Sequence, residues 1–131
     1  MKKAPLPRPT DAELEILTVL WSRGPSTVRE VHEIIAGRKP TQYTTVLKTL
    51  QIMDQKGLVR RDEAQRAHIY EASQPCEVTQ RQIAGDLLQR AFGGSAKSLM
   101  LGALSSRKAS KKELAELRQL LTEYEKDERT S

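Results

Sequence analysis

Residues 26 to 70 constrain the fold of this chain more than any other part of the sequence. Two short helical patterns, STVREVHEIIAG and QYTTVLKTLQIMDQKG, are followed by a basic hairpin pattern, LVRRDEAQRAHIYEA. Apolar side chains recur at helical spacing along one side of the second pattern. These are Tyr43, Val46, Leu47, Leu50 and Met53. The spacing predicts a helix with one face against a core, and Gly57 marks its end before a strand.

The opposite side of that predicted helix carries side chains that form hydrogen bonds. These are Gln42, Thr44, Thr45, Lys48 and Thr49. By itself such a face fits a solvated surface as well as a binding surface. The preceding helix and the following arginine-rich hairpin favour binding, because a helix of this kind beside a basic hairpin fits a DNA groove. The order predicts a mainly α chain that begins with a winged helix-turn-helix, in which three helices precede a small β-hairpin wing.

The distribution of charge supports a nucleic-acid partner. The chain has a net charge of +5 and a pI of about 9.5, which suits DNA but also arises from solvated lysine faces. Residues 38 to 66 contain seven basic and three acidic residues, a net charge of +4. The surplus therefore lies on the predicted DNA face.

Several function classes are excluded by what the sequence lacks. Cys76 is the single cysteine, and His32 and His68 lack metal-ligand spacing, so we expect no metal and no cofactor. No phosphate-binding loop, nucleophile elbow or zinc-protease motif occurs, so we expect no enzyme. No apolar run approaches a membrane span, and Met1-Lys2-Lys3 precedes prolines, so we expect a cytoplasmic protein without membrane insertion.

Proline and capping signals divide the chain into three parts. Residues 1–9 contain three prolines and are expected to form a flexible arm. Residues 10–75 hold the winged helix: Thr10 and Thr27 each begin a capping box, and Thr41 is the expected N-cap of the third helix. The remaining residues, 76–131, are expected to form a helical dimerisation domain after Pro75.

Leucine seams characterise the C-terminal part. Three short helices, the first ended by Gly93-Gly94, cannot make a sizeable core alone, and only five aromatic residues occur in the whole chain. Pairing of two copies would bury the seams, so we expect a homodimer. The predicted interface residues are Leu87, Leu88, Phe92, Leu99, Leu114, Leu117 and Leu121.

The residues predicted to contact DNA come from both helices and from the wing. They are Thr27, Arg29, Gln42, Thr44, Thr45, Lys48, Thr49, Arg60 and Arg66. Arg66 lies at the predicted wing tip, whereas one of Arg60 and Arg61 must point away because strand neighbours alternate. Thr27 is expected to serve mainly as a helix cap, and the ring of Tyr43 is expected in the core.

With these motifs identified, the chain resembles the penicillinase-repressor (BlaI/MecI-type) family over nearly its whole length. The segments that carry the resemblance are TDAELEILTVLWSRGPSTVREVHEII, YTTVLKTLQIMDQKGLVRR, RAHIYEA, DLLQRAFGGS and ELAELRQLL. The resemblance implies a homodimeric winged-helix repressor that binds a palindromic, double-stranded DNA operator. It also implies relief by proteolysis near Ala91 and Phe92, after a membrane sensor metalloprotease detects a β-lactam. The terminal Cys-x-Cys array of copper-sensing relatives is absent.

The chain departs from the family pattern at one position, and two alternative functions remain open. Relatives often carry Gly before the Arg-Ala of the wing tip, where this chain has Gln65, so a looser or differently shaped wing is expected. The first alternative function is a winged-helix module that binds another protein. The second keeps the repressor but replaces proteolysis by a small ligand or by oxidation of Cys76, which stands where a helix begins.

Overall fold

A computed structural model describes residues 8–64 and 66–130 of the chain. Within these ranges the chain forms six helices and one three-stranded antiparallel sheet. The elements are α1 (Asp11–Arg23), β1 (Ser26–Thr27), α2 (Val28–Ala36), α3 (Tyr43–Lys56), β2 (Val59–Asp62), β3 (Ile69–Ala72), α4 (Cys76–Arg90), α5 (Ala96–Ser106) and α6 (Lys111–Thr130). This order is the winged helix followed by a helical part that the sequence predicts. Residues 1–7 of the expected arm lie outside the described residues.

Local capping explains where the first two helices begin. The Thr10 hydroxyl accepts a hydrogen bond from Glu13 N at 3.2 Å, and the Glu13 carboxylate accepts one from Thr10 N at 2.9 Å. Thr27 and Glu30 form the same pair of bonds at the start of α2. Both predicted capping boxes are therefore confirmed, and each satisfies backbone donors that the first helical turn leaves without partners.

The expected cap of α3 is wrong. Gln42, not Thr41, is the N-cap residue, and within the described part of the chain no side chain caps this helix. The Thr41 hydroxyl donates instead to Lys39 O at 3.1 Å, inside the turn that precedes the helix. Serine and threonine hydroxyls bond to nearby backbone in this way, and the bond removes Thr41 from the capping position.

One apolar core joins the three N-terminal helices to the sheet. Its buried members are Ile16, Leu17, Val19, Leu20, Val28, Val31, Ile35, Val46, Leu50, Met53, Leu58, Val59 and Tyr70. Tyr43 is not among them: it is 44% exposed, so the prediction of a core ring is wrong. Tyr43 is the first residue of α3, and its ring meets His32 edge-on with 5.8 Å between centroids.

The sheet connects the start of α2 to the wing. Its strand order is β1-β3-β2, with Ser26 opposite Tyr70 and Arg61 also opposite Tyr70. β1 was not predicted, because two residues are too few to show the alternation that identifies a strand. Through this pairing the buried Tyr70 fixes the wing to the helical core.

The chain divides into two compact units between Gly85 and Asp86. The division falls within α4, whereas the sequence places the domain boundary after residue 75. Thr79 on α4 is buried, so the first turns of that helix belong to the N-terminal unit. The C-terminal unit begins with the rest of α4 and continues through α5 and α6, and of its nine leucines five are exposed and four are half-buried.

An ion pair between a buried carboxylate and a partly exposed ammonium group joins the start of α1 to the end of α3. Glu13 is only 3% exposed, and its carboxylate lies 2.8 Å from Lys56 Nζ at the end of α3. Burial raises the pKa of Glu13, but the hydrogen bonds from Lys56 and Thr10 together outweigh burial and hold that pKa below its ordinary value. The carboxylate is therefore charged in the folded protein at neutral pH.

Replacing Lys56 by methionine should lower the free energy of unfolding by about 1–2 kcal/mol at neutral pH, because Glu13 is left as a buried charge without its cation. Since the folded pKa is lowered, the stabilisation is present above the unfolded pKa and is lost as pH falls through the folded pKa. In the Glu13→Gln variant, the free energy of unfolding should depend less on pH in this acidic range. Urea titrations between neutral and acidic pH measure both effects. Lys126→Met, on exposed α6, is the matched control, and an equal loss there would contradict the role of the pair.

Candidate nucleic-acid interface

The solvent side of α3 carries the side chains that the sequence predicts to read DNA. Gln42, Thr44, Thr45 and Lys48 are exposed, and Thr49 is half-buried. We call these five side chains the recognition face. Val46, Leu50 and Met53 on the other side are buried, so the two-sided pattern of the helix is confirmed. Contact between the recognition face and DNA stays a prediction.

The polar atoms of the recognition face are not equally available. The Thr49 hydroxyl donates to Thr45 O at 2.8 Å within the helix, so this donor is occupied. The methyl group of Thr49 remains available for an apolar contact. Among the described residues, Lys48 forms no ion pair. An exposed ammonium group without a carboxylate partner can bind guanine or phosphate without first breaking a salt bridge.

A groove runs beside the recognition face, between α3, the start of α2 and the wing. Its lining residues are Thr27, Val28, Arg29, Tyr43, Leu47, Gln51, Arg61, Arg66, Ala67, His68 and Tyr70. We call it the wing groove. It brings together three predicted residues, Thr27, Arg29 and Arg66, with three arginines in all. Such a concentration of guanidinium groups suits the phosphates of a nucleic acid.

The two strand arginines lie on different faces of the sheet. Arg61 lines the wing groove, on the same strand face as the buried Val59. Arg60 pairs with Glu71 across the sheet, at 3.3 Å, on the opposite face. The structure therefore brings Arg61, rather than the predicted Arg60, to the groove. In the sequence, Arg61 stands two residues after the apolar Val59 and so shares its strand face, and this spacing identifies Arg61 as the arginine that faces the groove.

Arg61 does not stand alone in the groove. It forms ion pairs with Asp54 on α3, at 3.9 Å, and with Glu63 in the wing. These carboxylates hold the guanidinium between α3 and β2 and reduce its net charge. Arg61 therefore joins the wing to α3, in addition to any contact with a phosphate.

The start of α2 carries its own anion. The Glu30 carboxylate accepts a hydrogen bond from Thr27 N at 2.9 Å and pairs with Arg23. The backbone bond from Thr27, more than the charge of Arg23, holds the pKa of Glu30 below its ordinary value. A carboxylate at this helix end competes with phosphate for the same backbone donors. Thr27 thus forms the cap that the sequence predicts.

Arg29 and Arg66 are the groove arginines with the greatest freedom to meet a ligand. Arg29 forms an ion pair with Glu33 at 3.3 Å, but its side chain is 83% exposed, and such surface pairs are weak. Arg66 is exposed next to the wing tip. The expected effect of Gln65 on the wing concerns a position outside the described residues.

The predicted dimer and cleavage residues all lie in the C-terminal unit, from Asp86 onward. Leu87 and Leu121 are exposed, whereas Leu88, Phe92, Leu99, Leu114 and Leu117 are half-buried. After α4 ends at Arg90, the chain turns through Gly93 and Gly94, both with positive φ. Ala91 is exposed beside this turn. A non-helical, exposed segment is the kind of backbone that proteases cut.

In the described part of the chain, no group of three or more His, Cys, Asp or Glu side chains is placed to hold a metal ion. In the same part of the chain, no helix is long and apolar enough to cross a membrane. Cys76 is half-buried at the first position of α4.

Comparison with known proteins gives one family over most of the chain. The family model described as "Penicillinase repressor" matches residues 9–123. "Transcriptional regulator BlaI" of Mycobacterium tuberculosis is 44% identical over 68 residues, which cover 51% of this chain and 49% of that relative. In this match the chain therefore spans about half the length of the relative.

Two further relatives match over nearly their whole length. "Penicillinase repressor" of Staphylococcus aureus is 22% identical over 115 residues, covering 88% of this chain and 91% of the relative. "Penicillinase repressor" of Bacillus licheniformis is 27% identical over 128 residues, or 95% of each chain.

Proposed function

This chain belongs to the penicillinase-repressor family, and from that premise we propose that it is a homodimeric repressor that binds a palindromic DNA operator through α3. The family and the named relatives are transcriptional regulators and repressors. One observation carries the DNA contact: the exposed Thr44, Thr45 and Lys48 stand beside a groove with three arginines. Threonine and lysine can bind base edges in the major groove, while the arginines bind the neighbouring backbone. Such a repressor works in the cytoplasm, where the operator lies.

The proposed dimer follows from the exposure of the C-terminal leucines. In a single chain Leu87 is 38% exposed and Leu121 is 54% exposed. The described residues of α5 include none that is buried, although the helix is rich in leucine. A second copy of this chain would cover these seams and would present two recognition faces to two half-sites.

We further propose that cleavage near Ala91 and Phe92 relieves repression. In the sequence, the segment follows the N-terminal unit and precedes four of the seven predicted interface residues. A cut there would separate the two DNA-binding units and turn two linked half-site contacts into independent weak ones. The proposed protease partner is a membrane sensor metalloprotease that responds to a β-lactam or another cell-wall signal.

Capture of genomic DNA tests the proposed function most broadly. The purified chain is mixed with fragmented DNA of its host at moderate salt, and the bound fragments are sequenced. We expect strong enrichment of a few fragments that contain a dyad upstream of a gene. Capture of all fragments in proportion to their length would refute the repressor. A stoichiometric protein partner without enriched DNA would favour the interaction module instead.

Arg66 and Arg60 allow a matched test of the wing groove, because Arg66 lines the groove and Arg60 lies on the opposite face of the sheet. We expect Arg66→Gln to weaken binding to operator and to unrelated DNA alike, and to lower the salt slope by about one unit, because one phosphate contact is lost. Arg60→Gln removes the same charge from the opposite face of the sheet and should leave the slope nearly unchanged. Fluorescence anisotropy across a salt series measures both. Equal effects of the two variants would refute the assignment of the groove.

Cleavage can be tested directly on the purified dimer. Incubation with the activated sensor protease should give one early cut between Arg90 and Ser95, located by mass spectrometry. Operator affinity should then fall by about 100-fold or more, as expected when linked sites separate. The Cys76→Ser variant should be cut and released at the same rate as wild type. An early cut in the N-terminal unit, or release that requires Cys76, would contradict proteolytic relief.

A further inference from the structure

The start of α3 is held without a side-chain cap. Gln42 O accepts from Thr45 N at 3.1 Å and from Val46 N at 3.3 Å, and these bonds close the first turn. In the described chain Thr10, Thr27, Ser95 and Ser110 hydrogen-bond to the first turns of α1, α2, α5 and α6, but no side chain does so for α3. The position of this turn therefore depends on contacts from other elements.

His32 on α2 supplies two of these contacts. Its Nε2 atom lies 2.7 Å from Thr41 O, one residue before the N-cap. A carbonyl oxygen only accepts, so Nε2 carries the proton and donates. The ring also meets Tyr43, the first residue of α3, in an edge-on arrangement with planes 80° apart. His32 thus binds the backbone just before α3 and the side chain just inside it.

The contacts of His32 lead to the groups proposed to read DNA. Tyr43 lines the wing groove, and Thr44 and Thr45 follow it on the recognition face. A rotation of the first turn would move these two threonines together, and contacts to base edges require placement within a fraction of an ångström. Lys39, three residues before the N-cap, pairs with Glu15 of α1 at 3.3 Å in the connection that leads from α2 to α3.

We propose that His32 is a positioning residue that sets the base selectivity of α3 through Thr41 and Tyr43. The inference rests on the proposed function. His32 itself is half-buried behind the turn and needs no contact with DNA. Its loss should therefore reduce discrimination between sequences without changing the number of phosphate contacts.

Three substitutions separate the two contacts of His32. His32→Ala removes both, His32→Phe keeps a ring against Tyr43 but removes the donor, and His32→Gln restores a donor of similar reach. Each full-length variant is titrated against the most enriched genomic fragment and a shuffled duplex of the same length. The ratio of the two affinities should fall about threefold to tenfold for Ala and Phe, as expected for one lost hydrogen bond. For Gln it should stay within about twofold.

The salt slope should be the same in all four proteins, since no phosphate contact is lost. A drop shared equally by both duplexes, an unchanged ratio in His32→Ala, or a failure of Gln to restore it would overturn the proposal. Amide hydrogen exchange at Thr45 and Val46 in the DNA-free protein gives a second readout, and it should quicken in His32→Ala only if His32 holds the turn. A wild-type chain without a preferred fragment would refute the repressor, while the exchange rates would still test His32.

Discussion

Replacing Leu121 by aspartate is expected to leave a folded monomer that binds the operator at least about 100-fold more weakly than wild type. Leu121 is 54% exposed in a single chain, so the substitution removes little packing within the chain. In the proposed dimer the same position is covered, and an uncompensated carboxylate there is costly. Loss of the second half-site contact removes the gain of linked binding, which spans two or more orders of magnitude.

Sedimentation equilibrium and operator titration of the same samples measure this effect. The N-terminal unit should stay folded, because its core contains no residue of the C-terminal unit. Thr122→Asp adds the same charge one position further along α6, outside the predicted seam, and should remain dimeric. A monomeric Leu121→Asp variant with wild-type operator affinity would show that pairing is unnecessary for binding.

Loss of two side chains of the recognition face should abolish most of the preference for the operator. Thr45→Val removes a hydroxyl at nearly constant shape, and Lys48→Met removes the one ammonium group of that face. A good base contact discriminates by about 1–3 kcal/mol, so the double variant, which loses two contacts, should lose at least about 30-fold of the specific-to-nonspecific ratio. Its affinity for unrelated DNA should fall far less, through the one lost charge.

The control for this double variant lies outside the predicted interface. Thr18→Val, at an exposed position of α1, combined with Lys126→Met on α6 makes the same chemical changes elsewhere. Competition titrations with operator and shuffled duplexes compare the two proteins. If the double variant keeps the operator preference of the control, the recognition face does not read bases.

The elements that follow from local chemistry were predictable from the sequence. Thr10 and Thr27 stand three residues before a glutamate, and both capping boxes form. The apolar spacing of Val46, Leu50 and Met53 marks the buried side of α3, which leaves its polar side to solvent. These features depend on residues within one or two helical turns.

Features that depend on tertiary pairing were not predictable in the same way. β1 has two residues and exists only because Ser26 and Thr27 pair with β3. Tyr43 has core-like spacing, but it lies beyond the edge of the core and meets His32 instead. The ion pair of Arg61 with Asp54 joins the wing to α3 across residues that no local pattern brings together. Such contacts join residues far apart in sequence, so no local pattern specifies them.

The central claim is that the two copies of α3 in a dimer bind two half-sites of one operator. Its most direct test is a hydroxyl-radical footprint on the most enriched genomic fragment. We expect two protected patches related by a dyad, with centres about 10 base pairs or a whole multiple of that apart, because each copy faces its own half-site. The protection should vanish in the Thr45→Val, Lys48→Met double variant. One continuous patch without symmetry, or a spacing unrelated to the helical repeat, would contradict it.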